Sequence, residues 1–182
     1  MIAQDRFKAI HDIVRPLISE NYGLFVCDAA LETPKTGLFD GTTITLSSRM
    51  DSEMSLFVLL HLFGHVVQWC TSETDRQLGL LTPTPATLTA ELTSRIVDYE
   101  TRAARYGLAL LERAHLADDV RSWISDWTSA DLRYLLDVYR NEVTADPFQN
   151  FRERYLRPGA SLLEPLNIPP FVPRLFDMRF AF

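Results

Sequence analysis

Near the start of the chain, apolar residues recur at Phe7, Ile10, Val14 and Leu17. This spacing predicts a helix from residue 3 to about 20, which Pro16 is expected to kink or end. Asn21-Tyr22-Gly23 then turns the chain. Leu24 to Cys27 reads as a short strand, Thr33 to Gly41 as a loop with an Asp40-Gly41 turn signal. Thr42 to Leu46 alternates Thr with Ile and Leu, as a half-buried strand does. The two strands predict a small antiparallel sheet.

Glu53 to Cys70, EMSLFVLLHLFGHVVQWC, changes the pattern. Apolar residues occupy every side of this helix, so it is expected in the core rather than at the surface. Asp51 or Ser52 can cap it, and Glu53 suits its first turn. At ~18 residues it approaches a membrane span in length. His61, His65, Gln68 and Glu53 argue for a core helix instead.

Thr71 to Pro85 reads as a connecting loop. From Thr87 to about Ala114 a long helix is expected, with Leu92, Ile96, Tyr99, Ala103, Tyr106, Gly107, Leu110 and Ala114 on its apolar face. A further helical section runs from about Asp118 to Tyr139, its inner side marked by Trp123, Trp127, Leu132, Leu135 and Tyr139. Asp126 and Asp131 are read there as turn and capping residues between two shorter helices. A short helix is expected over Pro147 to Leu156. After Arg157-Pro158-Gly159 the text becomes PLNIPPFVPRLFDMRFAF, with four prolines. It predicts an extended tail packed along the body or against a partner. The organisation is therefore one domain over residues 1–157 and a proline-rich tail over 158–182. The expected fold class is α+β and mostly helical.

Composition narrows the function classes. The chain has 182 residues, 47% of them hydrophobic and 23% charged, which suits a globular protein with a real core. A net charge of −6 gives no support for a nucleic-acid-binding surface. No apolar run of signal-peptide type opens the chain, and no second membrane span is visible. Two cysteines are too few for a disulfide framework, so a cytoplasmic protein is expected.

His61 and His65 carry the candidate chemistry. Residues at i and i+4 share one helix face, so two imidazoles can direct ring nitrogens at one zinc ion. Cys70 lies about 140° around the helix from His65 and is not read as a ligand. The alternative is a structural pair, each ring hydrogen-bonded, since an unsatisfied buried polar group costs about 1–3 kcal/mol. Gly64 favours a site, because a mid-helix glycine costs roughly 1 kcal/mol against Ala and is explained by a backbone packing close by. A third ligand is sought on the next helix. Asp98 has Ser94, Arg95, Thr101 and Arg102 as neighbours, a polar face. Glu100 sits among Ile96, Ala103, Ala104 and Gly107, where a second helix can approach. A carboxylate there needs a partner, either a metal, a buried His or an Arg at the boundary.

The zincin helix motif is H-E-x-x-H, with the Glu as general base. Here that position is Leu62. The order of elements, with ITLSSRMDSEMSLFVLLHLFGHVVQ followed by RAARYGLALL, resembles the ImmA/IrrE-like metallopeptidases over roughly residues 5 to 113. The resemblance implies a zincin fold, a small sheet beside helices carrying His, His and Glu around zinc, and cleavage of a partner such as a DNA-binding repressor. By position His61 and His65 match the histidine ligands. Arg102 falls in register with the family's helix Glu, so Glu100 has to serve from a neighbouring position, and an Arg102 facing the site would oppose a metal. Three readings follow: a base-less peptidase-like protein that binds zinc and acts through a partner, a working metallopeptidase with a substitute acid such as Asp98, and a metal-free scaffold. Glu53, about two turns before His61, is poorly placed as that acid.

Overall fold

The structure is a computed structural model that describes residues 3–141, 151–177 and 179–181. It is α+β: six helices and a four-stranded sheet among the described residues. The first helix, α1 (Gln4–Tyr22), passes through Pro16 without ending. Its inner face is Phe7, Ile10, His11, Val14 and Ile18, and Gly23 closes it in the left-handed region at φ 67°. His11 faces α2, where its Nε2 lies 3.2 Å from the Ser55 hydroxyl.

The strands are β1 (Phe25–Ala29), β2 (Gly37–Phe39), β3 (Thr43–Ser47) and β4 (Phe180–Ala181), in the spatial order β1-β3-β2-β4. The sheet is mixed, not antiparallel as expected. β1 and β3 pair in parallel, with Phe25 opposite Thr43. The reason is β2, three residues inside the stretch read as loop. It reverses the chain before β3, so β1 and β3 point the same way. The β2–β3 turn is held by Asp40, whose Oδ1 accepts from the Thr42 and Thr43 amides at 2.9 and 2.8 Å.

The histidine helix is α2 (Ser52–Thr71), capped by Asp51, whose Oδ1 accepts from the Met54 amide at 2.9 Å. It is the one described helix long and apolar enough to cross a membrane. Its apolar window is 83% buried within the fold, which makes it the core helix. Glu53 is structural: its Oε1 accepts from the indoles of Trp123 and Trp127, both at 3.0 Å, and its Oε2 from Arg152. This acid joins the start of α2 to α5 (Ala117–Asn141) and α6 (Phe151–Tyr155).

The stretch after α2 is not all loop, since it contains α3 (Glu73–Gly79), capped by Ser72. The long helix α4 (Ala90–Arg113) begins at Ala90, where Thr89 accepts from the Leu92 amide. The α5 helix is continuous and does not break at Asp126 or Asp131. Asp126 instead accepts from the Ala160 amide of the tail at 2.8 Å. The tail packs along the body: the Leu166 amide reaches the Arg105 carbonyl, the Phe176 amide reaches that of Asp40, and β4 adds to β2. The short helix read over Pro147 to Leu156 is observed as α6, and its expected first residues, 147–150, lie outside the described residues.

Candidate metal centre

Two glycines bring α2 and α4 together. A Cβ on Gly64 would lie 2.0 Å from the Ala103 carbonyl oxygen, and one on Gly107 would lie 2.8 Å from that of Leu60. The helices therefore meet backbone to backbone at these two points. That close approach sets Glu100 of α4 against His61 and His65 of α2, and the three side chains are 6%, 1% and 0% exposed.

Their donor atoms converge. His61 Nε2 lies 2.9 Å from Glu100 Oε2. His65 Nε2 lies 3.1 Å from the same oxygen and 2.8 Å from His61 Nε2. Gln68 orients His65. Its amide nitrogen donates to the Tyr99 carbonyl at 2.7 Å, so its oxygen faces His65 Nδ1 at 2.8 Å. Nδ1 must carry the proton, and in the neutral ring Nε2 presents a lone pair. Burial opposes the charge on Glu100, but the facing His65 and His61 rings outweigh it and hold its carboxyl down at about 2. Burial lowers His61 from its usual range, aided by repulsion from His65. The pocket thus brings a carboxylate oxygen and two imidazole nitrogens to one point. A single cation at that point would satisfy all three atoms.

The set also fits a divalent metal by type. Two imidazole nitrogens and one carboxylate oxygen are a zinc donor set, and ~2.0–2.1 Å bonds in a tetrahedron space donors by about 3.3 Å. The observed separations are a few tenths shorter, within the play of three side chains. Cys70 stands apart from the cluster, as read from its helix angle.

The flanking residues are aromatic. The rings of Tyr99 and Phe180 both lie with centroids 4.7 Å from that of His65. Phe180 belongs to β4, so the tail covers the histidine helix. The sequence reading missed this contact, and the alternation in RFAF was its one signal.

The other acids are arranged differently from expectation. Arg102 turns away, pairing with both oxygens of Asp75 at 2.7 and 2.8 Å and with Asp98 at 2.8 Å. It therefore does not oppose a cation at the site. Asp98, with its side chain 67% exposed, is not near the cluster as a substitute base. Leu62 is fully buried, and its Cδ1 lies 2.7 Å from where a Cβ on Gly37 would sit. The position of the missing base is packed against the sheet. The acid that shares space with Glu100 is Asp131, since both line a cavity of about 510 Å³ between α2, α4, α5 and the tail. Asp131 is 5% exposed, and burial followed by repulsion from Glu100 pushes its carboxyl well above the usual range. Its sequence signal was its place one turn after Trp127 and one before Leu135, on the apolar stripe.

Comparison with family models, with characterised proteins and with solved structures finds no match for this chain.

Gln68 gives a first test of the centre. Gln68→Leu removes the acceptor that holds His65 Nδ1–H, and outer-shell partners of this kind are worth 10–100-fold in metal affinity. The variant is expected to bind zinc at least about tenfold more weakly in competition with a chromophoric chelator. Unchanged affinity would mean that His65 is not oriented by Gln68 for a metal.

Proposed function

We propose that this chain is a zinc-binding, metallopeptidase-like protein without a working base, and that it acts by binding a protein partner. One observation carries the reading: a ring nitrogen of His61, a ring nitrogen of His65 and a carboxylate oxygen of Glu100, all buried, converge within 3.1 Å of one another. His61, His65 and Glu100 would hold the ion. When bound, zinc supplies a Lewis acid that polarises an oxygen or lowers the pKa of a bound water.

The protein's own residues supply little else that peptide hydrolysis needs. A base must take a proton from water and return it to the leaving amine, a contribution of typically 10²–10⁴-fold. Leu62 has no titratable atom and is fully buried against Gly37. Gln68, Tyr99 and Phe180 orient and enclose His65 rather than move protons. The resemblance of the histidine helix to the ImmA/IrrE-like enzymes suggests a repressor-like regulator as the partner class. A second reading, a metal-free scaffold, is favoured by the 2.8–3.1 Å separations, which are also hydrogen-bond distances.

Zinc-loaded protein incubated with unfolded casein and with a repressor-type DNA-binding protein is expected to give no cleavage above the chelated control. Cleavage that disappears in Asp131→Asn would replace this reading with an active enzyme whose acid has moved to α5.

A further inference from the structure

The cavity above Glu100 has features that a metal centre does not explain. Its volume of about 510 Å³ lies within the range of small organic ligand sites, ~300–1,000 Å³. Aromatic rings contribute to its wall, among them Phe57, Tyr99, Tyr134, Tyr139 and Phe151. Asp131 lies on that wall, nine-tenths buried, and no described residue makes a hydrogen bond or ion pair to its carboxyl. An unpartnered buried polar group is costly unless something else satisfies it. Glu100 does not, being an acid already engaged by His61 and His65.

Charge decides what could. Among the described residues, the two cations lining the cavity, Lys35 and Arg179, are exposed, and Arg179 acts on Asp40. The acids are the deep groups. An anion entering the cavity would meet Asp131 and Glu100 together. An ammonium would meet a carboxyl that lacks a partner and ring faces that attract cations. The body of such a ligand would be hydrocarbon, to cover the aromatic wall.

We propose that this cavity binds a small organic amine, its ammonium on Asp131 and its hydrocarbon body against Phe57, Tyr134, Tyr139 and Phe151. The proposal does not depend on zinc at the neighbouring centre.

The test is calorimetric titration of the full chain with 4-phenylbutylamine and with the neutral, near-isosteric 4-phenylbutanol. The amine is expected to bind at least about tenfold more tightly, because its positive charge favours ionisation of the Asp131 carboxyl and makes the contact a hydrogen bond between charged groups. Asp131→Asn is expected to weaken the amine at least about tenfold and leave the alcohol unchanged. Equal binding of the two probes, binding of neither, or full amine affinity in Asp131→Asn would overturn the proposal. If that variant does not fold, the comparison of amine with alcohol on the wild-type chain decides. The titration is repeated after EDTA treatment. Amine binding that persists without metal supports Asp131 as the anchor. Binding that is lost with the metal would make the amine a metal ligand and sink the proposal. Absence of zinc together with intact amine binding would count against the metal centre alone.

Discussion

Leu62→Glu, which restores the text of an active zincin helix, is expected to damage the protein rather than revive an enzyme. Leu62 is fully buried, and Leu62 Cδ1 and Val58 Cγ1 would lie 2.7 and 2.9 Å from a Cβ on Gly37. A carboxylate at that place would be buried against β2, and bringing in water means opening the seam between α2 and β2. The cost is on the order of 4 kcal/mol or more, at the far end of single-substitution effects. Urea denaturation measures it as a large fall in the midpoint with little change in slope. A midpoint within error of the wild type would show that the position admits water, and would make a peptidase ancestry at this helix directly testable by activity. Leu62→Met, close in volume, is the control and is expected to cost less than about 1.5 kcal/mol.

Gly64→Ala is expected to disrupt both stability and metal binding. The added methyl would sit 2.0 Å from the Ala103 carbonyl oxygen and 2.6 Å from the Ala103 Cα. These are backbone atoms, so no rotamer change relieves the clash. Either α2 and α4 separate or the variant fails to fold. Separation moves Glu100 away from both histidines at once. Overpacking typically costs 1–3 kcal/mol, and a backbone contact this short falls at or above the upper end. The better helix propensity of Ala returns roughly 1 kcal/mol at most. The expected result is a lower melting temperature together with loss of zinc stoichiometry in the folded fraction. A variant as stable as the wild type that still bound zinc would mean that the two helices do not meet at Gly64.

Both predictions draw on residues whose role was partly visible in the sequence. Gly64 stood out as a helix-weakening residue between two histidines, and a close backbone there was the natural explanation. The small residues around Glu100 pointed to the same contact from the other helix. His61, His65 and Glu100 were therefore legible as a group, because helical periodicity fixes which side chains share a face. The mixed sheet was not legible, because β2 is three residues long and β4 two, too short for alternation to register. Nor was the role of Asp131. In the text it reads as a turn or capping residue between two shorter helices, and only the packing of α5 over α4 makes it a buried wall residue. Arg102 and Asp98 had the opposite fate. Their pairing with each other at i and i+4 was available from spacing, but the Asp75 partner from α3 depends on a helix that the sequence reading took for loop. The tail shows the same limit. Its prolines foretold an extended course, while its landing point on His65 rests on one aromatic, Phe180.

The central claim is that His61, His65 and Glu100 form one metal centre. Elemental analysis of untagged protein, for the wild type and for His65→Ala, tests it most directly. The account predicts near one zinc per wild-type chain and none in a folded His65→Ala variant. A wild-type protein that is folded but contains no metal, and takes up none when zinc is added, would contradict it.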